Sequence, residues 1–214
     1  VLFGWVNNIS ILKQVLPRFP PMVPNTAIAL LVGAVSFLAH WGLNSRWTKW
    51  VAQICGLAIF GFGLVVLFEH RFGWQSGIDE FFLAAPDLSK FPGRPSAEAA
   101  IAFTFLGAAL FAIEKNTRKG FAVTQFFAYA LAAFSMLVVI SYFTRASAVW
   151  VLLLGEHGKG MALNTGICFA FFSCALLLAY PEKGFGAVFI SPTAGGVVAR
   201  RIFFAAVFGP LIVG

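Results

Sequence analysis

Two Asn-Thr pairs stand where apolar segments of this chain begin, Asn25-Thr26 in PMVPNTAIAL and Asn164-Thr165 in GMALNTGICF. A third such segment, GRPSAEAAIAFTF, has Glu98 at the corresponding position. Asn at a helix start accepts a hydrogen bond from an otherwise unpaired backbone N–H, so these residues are typical of helix caps. The alternative is a binding site, because helix N-termini attract polar or anionic ligands. Asn25, Thr26, Glu98, Asn164 and Thr165 are therefore the candidate ligand-binding residues.

Glu98, the acidic member of this set, also has two interpretations. A carboxylate in the first turn of a helix interacts favourably with the helix dipole, which would make Glu98 a stabilising residue. A carboxylate close to the edge of a membrane is also typical of a ligand-binding or proton-linked group. The sequence leaves both interpretations open.

The remaining polar residues form no recognisable metal site. Asp79 and Glu80 are adjacent, so on a helix they would face different directions, and no His lies beside them at ligand spacing. His40, His70 and His157 fall at predicted helix ends or in loops and do not cluster. We therefore predict no metal ligand, and the sequence leaves any cofactor unknown.

Catalytic signatures are missing from the sequence: it contains no G-x-S-x-G, no P-loop and no H-E-x-x-H. We predict no catalytic residue and no enzyme activity in this region. Pumps and transporters usually carry ionisable side chains inside the membrane. The interiors of the predicted spans instead hold uncharged polar residues, namely Gln53, Thr104, Thr124, Gln125, Ser135 and Ser141.

The composition indicates a membrane protein. Hydrophobic residues make up 60% of the chain and charged residues 11%, with a mean hydropathy of +0.88. A soluble domain carries about 25% charged residues. The net charge of +7 is explained by the distribution of Lys and Arg among the loops, so we predict the lipid bilayer as a partner and no nucleic acid.

Segments of about 20 mostly apolar residues predict membrane-spanning helices. Five complete spans are predicted, at 24–41, 48–69, 97–113, 120–143 and 161–180. A sixth begins near Arg201, and Val1–Val6 is typical of the last turns of an earlier helix. The expected fold is an all-α polytopic membrane bundle of about seven transmembrane helices, the first and last truncated. We expect residues 1–214 to be a single integral membrane domain and a fragment of a longer chain.

Three stretches of the sequence share one pattern, at about 3–39, 72–113 and 142–179. Each has an aromatic helix end, a short amphipathic stretch, a Pro- or Gly-rich turn and the start of the next helix. The sequence FGW at 3–5 recurs at 72–74. We therefore expect three repeated helical hairpins whose elbows lie on the outer side of the membrane.

The loops at 42–47, 114–119 and 181–200 are short or compact and, with their flanks, carry slightly more Lys and Arg than the opposite set. Cytoplasmic loops are enriched in these residues. We therefore predict that these three loops are cytoplasmic, in a bacterial inner membrane.

The quoted segments, together with GWQSGIDEFF, AYPEKGF and SPTAGGVVARR, give the chain a family resemblance. It resembles the multi-helix input region at the N-terminus of many bacterial sensor histidine kinases and diguanylate cyclases, ahead of PAS, kinase or GGDEF domains. Residues 22–27 match the M-x-P-N-T-A pattern of that family. The second helix start departs from it at Glu98 and Ala99, and the third at Leu163 and Gly166. The resemblance implies one further helix that leads to a cytoplasmic output domain, and it assigns no ligand.

Three classes of function remain at this stage. The first is a sensory or signal-input membrane domain of a two-component or cyclase system, for which a homodimer is expected. The second is a structural or accessory subunit of a larger respiratory or photosynthetic membrane complex. A small transporter is the third and is disfavoured by the uncharged spans.

Overall fold

The computed structural model describes residues 1–14, 19–41, 45–74, 77, 93–113, 118–144, 160–179 and 184–213. These residues form helices joined by turns, and none of them lies in a β-strand. The prediction of an all-helical chain is therefore confirmed for this part of the sequence. The helices are α1 (Leu2–Val6), α2 (Ser10–Lys13), α3 (Pro24–Trp41), α4 (Arg46–Phe72), α5 (Ala97–Ile113), α6 (Arg118–Thr144), α7 (Leu163–Leu178), α8 (Gly184–Ile190) and α9 (Ala194–Val213).

The five predicted spans correspond to α3 through α7. The apolar runs determine where these helices lie, whereas local capping residues determine where they begin and end. At the start of α4, the Ser45 hydroxyl accepts a hydrogen bond from the Trp47 N–H at 3.3 Å. At its end, Gly73 has a φ of 64°, a left-handed conformation that glycine adopts without steric cost. These caps make α4 longer at both ends than the predicted span 48–69.

The predicted loops require corrections. The interval 181–200 contains α8 and the first turns of α9, which begins at Ala194 rather than near Arg201. The charge of Arg200 is tolerated inside the helix because its guanidinium donates back to the Ser191 carbonyl at 3.1 Å. Arg46 and Arg118 begin α4 and α6, so the loops predicted at 42–47 and 114–119 are shorter; residues 42–44 and 114–117 lie outside the described ranges.

Three described helical stretches are long and apolar enough to cross a membrane: Pro24–Trp41, Arg46–Phe72 and Ala122–Tyr142. Helices α5 and α7 are apolar but shorter. Large apolar side chains are also exposed along the helices, including Leu38, Ile54, Phe126 and Phe171. Such exposed apolar surface indicates membrane association.

Helix α5 is the centre of the bundle and packs against α3, α4, α6 and α7. Of its 17 residues, 12 are buried. Phe103 of α5 is completely buried and makes edge-to-face contacts with Phe62 and Phe169, at centroid distances of 5.5 and 4.9 Å. Aromatic side chains therefore connect the central helix to the helices on either side of it.

Glycines allow α4 and α5 to approach each other backbone to backbone. A Cβ placed on Gly63 would lie 2.6 Å from Thr104 Oγ1 and 2.7 Å from the Thr104 N. At Gly56 it would lie 3.0 Å from the Phe111 N. Small residues at such contacts let membrane helices pack closely, so α4 and α5 form a tight pair.

Candidate functional site

Helices α3, α5 and α7 begin in the same way. In each, the first helical hydrogen bond ends on the residue immediately before the helix. These bonds run from Ala27 N to Val23 O at 3.2 Å, from Ala100 N to Ser96 O at 3.0 Å, and from Gly166 N to Ala162 O at 3.1 Å. Asn25, Glu98 and Asn164 are consequently the second residues of their helices.

The interpretation of the two Asn residues as N-caps is corrected by this geometry. The cap position of α7 is Ala162, which has no side chain able to cap. Asn164 still accepts a hydrogen bond within the first turn of α7, from the Thr165 N–H to its Oδ1 at 3.1 Å. The side-chain cap occurs at the start of α5, where the Ser96 hydroxyl accepts from the Ala99 N–H at 3.2 Å.

A side chain from an earlier helix donates a hydrogen bond just before each of the three starts: from α1 before α3, from α4 before α5 and from α6 before α7. We call these contacts the start hydrogen bonds, and each accepting carbonyl lies two residues before the first helical residue. The donors are Trp5 Nε1 to Met22 O at 2.8 Å, His70 Nε2 to Pro95 O at 2.9 Å, and the Tyr142 hydroxyl to Met161 O. A carbonyl can only accept, so His70 carries a proton on Nε2 in this contact.

Sequence reasoning missed these donors. An aromatic residue near the end of each preceding helix was the available signal, and FGW at 3–5 was aligned with FGW at 72–74. That alignment pairs Trp5 with Trp74, whereas the structure uses His70 at this place. Trp74 contributes its carbonyl instead, which accepts from Arg94 Nη2 at 3.1 Å.

A side-chain hydrogen bond joins the first turn of α3 to the turn that precedes α5. The buried Asn25 side chain donates from Nδ2 to the Gly93 carbonyl at 3.3 Å. Gly93 has a φ of 81°, a conformation that requires glycine or a comparably permissive residue. The Asn25 amide is thus part of a buried contact between α3 and the turn before α5.

The first and third starts meet at the Lys13 carbonyl. It accepts from the Met22 N–H at 2.9 Å and from Asn164 Nδ2 at 3.5 Å. Together with the Asn25 contact, this brings the beginnings of α3, α5 and α7 to one end of the bundle, which we call the helix-start end.

The predicted site residues differ in accessibility. Asn25, Thr26 and Thr165 are 3%, 2% and 1% exposed, and Asn164 is partly buried. Their positions make them packing and hydrogen-bonding residues of the helix-start end. Glu98 is 8% exposed and lies in the first turn of α5.

Glu69 and Arg94 form a second charged feature of this end, which the sequence did not indicate. Glu69 Oε2 lies 3.6 Å from Arg94 Nε, with the two side chains 0% and 5% exposed. The predicted span 48–69 ends at Glu69, and Arg94 falls between that span and the next. Helix α4 continues for three further residues, to Phe72, so Glu69 is a buried residue within a helix.

Within the described ranges, no group of three or more His, Cys, Asp and Glu side chains is placed to hold a metal ion. Asp79, Glu80 and His157 lie outside those ranges. His40 and His70 occur at opposite ends of the bundle, on α3 and α4.

Comparisons of the chain with models of protein families, with curated proteins and with solved structures found no match. The class of this protein is therefore described from its fold alone. The described part of the chain is an all-helical protein with three helices suited to a membrane.

Proposed function

We propose that this chain is a membrane-embedded signal-input domain that regulates a cytoplasmic output domain, a kinase or cyclase, elsewhere in the protein. In this proposal the chain is a seven-helix bundle in a bacterial inner membrane. The helix-start end faces outward, and the segments at 42–47, 114–119 and 181–200 lie toward the cytoplasm. The sequence resemblance and the loop charges support this assignment.

One structural observation carries the proposal: hydrogen bonds link the beginning of α3 to the turn before α5 and, through the Lys13 carbonyl, to the first turn of α7. A displacement at the beginning of α3 would therefore reach both of the other helix starts. A ligand changes such an arrangement only if it binds two helix packings with different affinity. The bonded starts supply a place where that difference could arise.

The test uses the intact protein in membrane vesicles, with kinase or cyclase activity as the readout. Asn25→Ala removes the amide that joins α3 to the turn before α5, so we expect a changed ratio of stimulated to basal output. Asn7→Ala is the matched control, because Asn7 is exposed and donates only to the local Phe3 carbonyl at 3.0 Å. Activities are normalised to the folded fraction from size-exclusion chromatography.

Two results would overturn the proposal. One is unchanged output in Asn25→Ala when the folded fraction is unchanged. The other is a protein without an output domain that co-purifies stoichiometrically with a respiratory or photosynthetic complex, which would favour a structural subunit.

A further inference from the structure

Two exposed basic residues lie at the beginning of α4. Arg46 is the first residue of this helix and Lys49 follows about one turn later. Within the described part of the chain, neither residue forms an ion pair. No Asp or Glu precedes Glu69 in the sequence, and Glu69 lies near the other end of α4. Helix α3, and α4 as far as Glu69, therefore contain basic residues and no acidic one.

Three exposed tryptophans accompany the two cations. Trp41 is the last residue of α3, and Trp47 and Trp50 lie in the first two turns of α4. Residues three or four apart on a helix are neighbours, so Arg46 lies next to both Lys49 and Trp50. We call these five residues, Trp41, Arg46, Trp47, Lys49 and Trp50, the cationic corner.

The cationic corner continues the outward face of α4. On the inner side of the helix, Ala52 and Gly56 are buried, and Gly56 packs against the backbone of α5. Ile54 and Leu57 are exposed, and helical spacing places them on the same face as Trp50. In a bilayer such an exposed apolar face contacts lipid, so the corner adjoins the lipid-facing surface.

Helix length places the cationic corner at the boundary between lipid and water. Helix α3 has 18 residues, a length of about 27 Å, and the hydrocarbon core of a bilayer is about 30 Å thick. Both α3 and α4 are suited to cross a membrane, so the short connection between them lies near one surface. Exposed Trp side chains are typical of this boundary. Arg46 and Lys49 are consequently at the depth of the lipid headgroups.

We propose that the cationic corner binds the headgroup of an anionic phospholipid. The Arg46 guanidinium can donate two parallel hydrogen bonds to phosphate oxygens. The long side chain of Lys49 lets its ammonium group reach the same level. Cations in the first turn of a helix oppose the helix dipole, and a negative headgroup would offset both. A zwitterionic lipid carries a cation of its own, which the two basic residues repel.

This inference goes beyond the proposed function and does not rest on it. It requires only that α3 and α4 cross a membrane, and it holds whichever end of the bundle faces the cytoplasm. Lipid binding in a protein that regulates no kinase or cyclase would retain the site and reject the signal-input proposal.

The test measures the lipid selectivity of the intact protein by native mass spectrometry from detergent. Phosphatidylglycerol or phosphatidylcholine is added at equal concentration, and the apparent affinity for the first bound lipid is compared. A basic residue near the membrane surface favours an anionic lipid by about fivefold. We therefore expect the parent protein to prefer phosphatidylglycerol by at least about fivefold.

Variants assign the preference to the cationic corner. Combining Arg46→Gln with Lys49→Gln should abolish it, whereas Arg46→Lys keeps the charge and should retain most of it. Arg71→Gln is the matched control, because Arg71 is an exposed arginine beside an aromatic ring at the other end of the same helix. The folded fraction from size-exclusion chromatography should be unchanged, since all of these side chains are exposed.

A second measurement follows the same site in vesicles. Brominated acyl chains quench nearby tryptophans, so brominated phosphatidylglycerol should quench the parent protein more strongly than it quenches the variant without the two cations. Brominated phosphatidylcholine should quench the two proteins equally.

Four results would overturn the proposal. The first is equal affinity of the parent protein for the two lipids, and the second is a preference retained without both cations. The third is a loss in Arg71→Gln as large as in Arg46→Gln, which would indicate an effect of overall charge. The fourth is displacement of phosphatidylglycerol when inorganic phosphate replaces chloride at constant ionic strength, which would assign a soluble anion.

Discussion

Glu69 and Glu98 are two buried carboxylates at the same end of the bundle, and their surroundings differ. Glu69, on α4, is 0% exposed and lies against Arg94. Glu98, on α5, is 8% exposed and is the second residue of its helix. The first carboxylate lies against a guanidinium, whereas the second lies in the first turn of a helix, where the helix dipole favours a negative charge. Burial alone therefore does not determine how an acid is accommodated.

The largest expected effect comes from removing the described ion-pair partner of Glu69. Arg94→Met breaks a buried ion pair by removing one member, which costs about 3–5 kcal/mol. Thermal unfolding in detergent measures this loss. Arg71→Met serves as the control, because Arg71 is exposed beside Phe72, and surface substitutions usually change stability by less than about 0.5 kcal/mol.

A double variant sharpens that result. Glu69→Gln combined with Arg94→Met removes both charges and should recover much of the stability lost in Arg94→Met. If Arg94→Met alone is as stable as the parent, Glu69 does not depend on Arg94, and the contrast between Glu69 and Glu98 is rejected.

The next effect concerns the α4–α5 contact, which holds Glu69 and Glu98 on adjoining helices. Gly63→Ala places a methyl group 2.7 Å from the Thr104 N and 2.8 Å from the Ala100 carbonyl oxygen. The backbones must separate, at a cost of about 1–3 kcal/mol. In Gly61→Ala the new methyl meets nothing within 4 Å, so this matched variant should be as stable as the parent or slightly more so. Equal melting temperatures for the two variants would reject the close contact.

A smaller effect is expected for the start hydrogen bond beside Glu98. Tyr142→Phe removes the donor to the Met161 carbonyl and should cost about 1 kcal/mol. Trp5→Phe removes the equivalent donor to Met22 and should cost a similar amount. Thermal unfolding of both variants measures the two losses, and a Tyr142→Phe variant as stable as the parent would contradict a stabilising role for this contact.

The smallest effect is expected for Glu98 itself. Glu98→Gln removes a charge from the first turn of α5, where the helix dipole favours it, so stability should fall by no more than about 1 kcal/mol. Denaturant unfolding of both proteins gives the difference. A loss comparable to that of Arg94→Met would mean that Glu98 has a structural partner.

The positions of α3 to α7 could be predicted because apolar runs of spanning length determine them. The charged pair could not be predicted in the same way. Glu69 ends the predicted span 48–69 and Arg94 lies beyond it, so no local pattern joins the two residues. Glu98 was singled out because it replaces Asn in an otherwise matching pattern, whereas its burial depends on tertiary packing that no local pattern encodes.

The bond between Asn164 and the Lys13 carbonyl also has a consequence for assembly. Its partners are 151 residues apart in the chain, whereas the Tyr142 contact spans 19 residues. Contacts between distant parts of a chain form late, because ordering the intervening segment costs entropy. During synthesis Lys13 emerges long before Asn164, so this hydrogen bond can form only after α7 has been made. The Asn164 contact is thus a closing step in the biogenesis of the bundle, completed only after α7 joins α3 to α6.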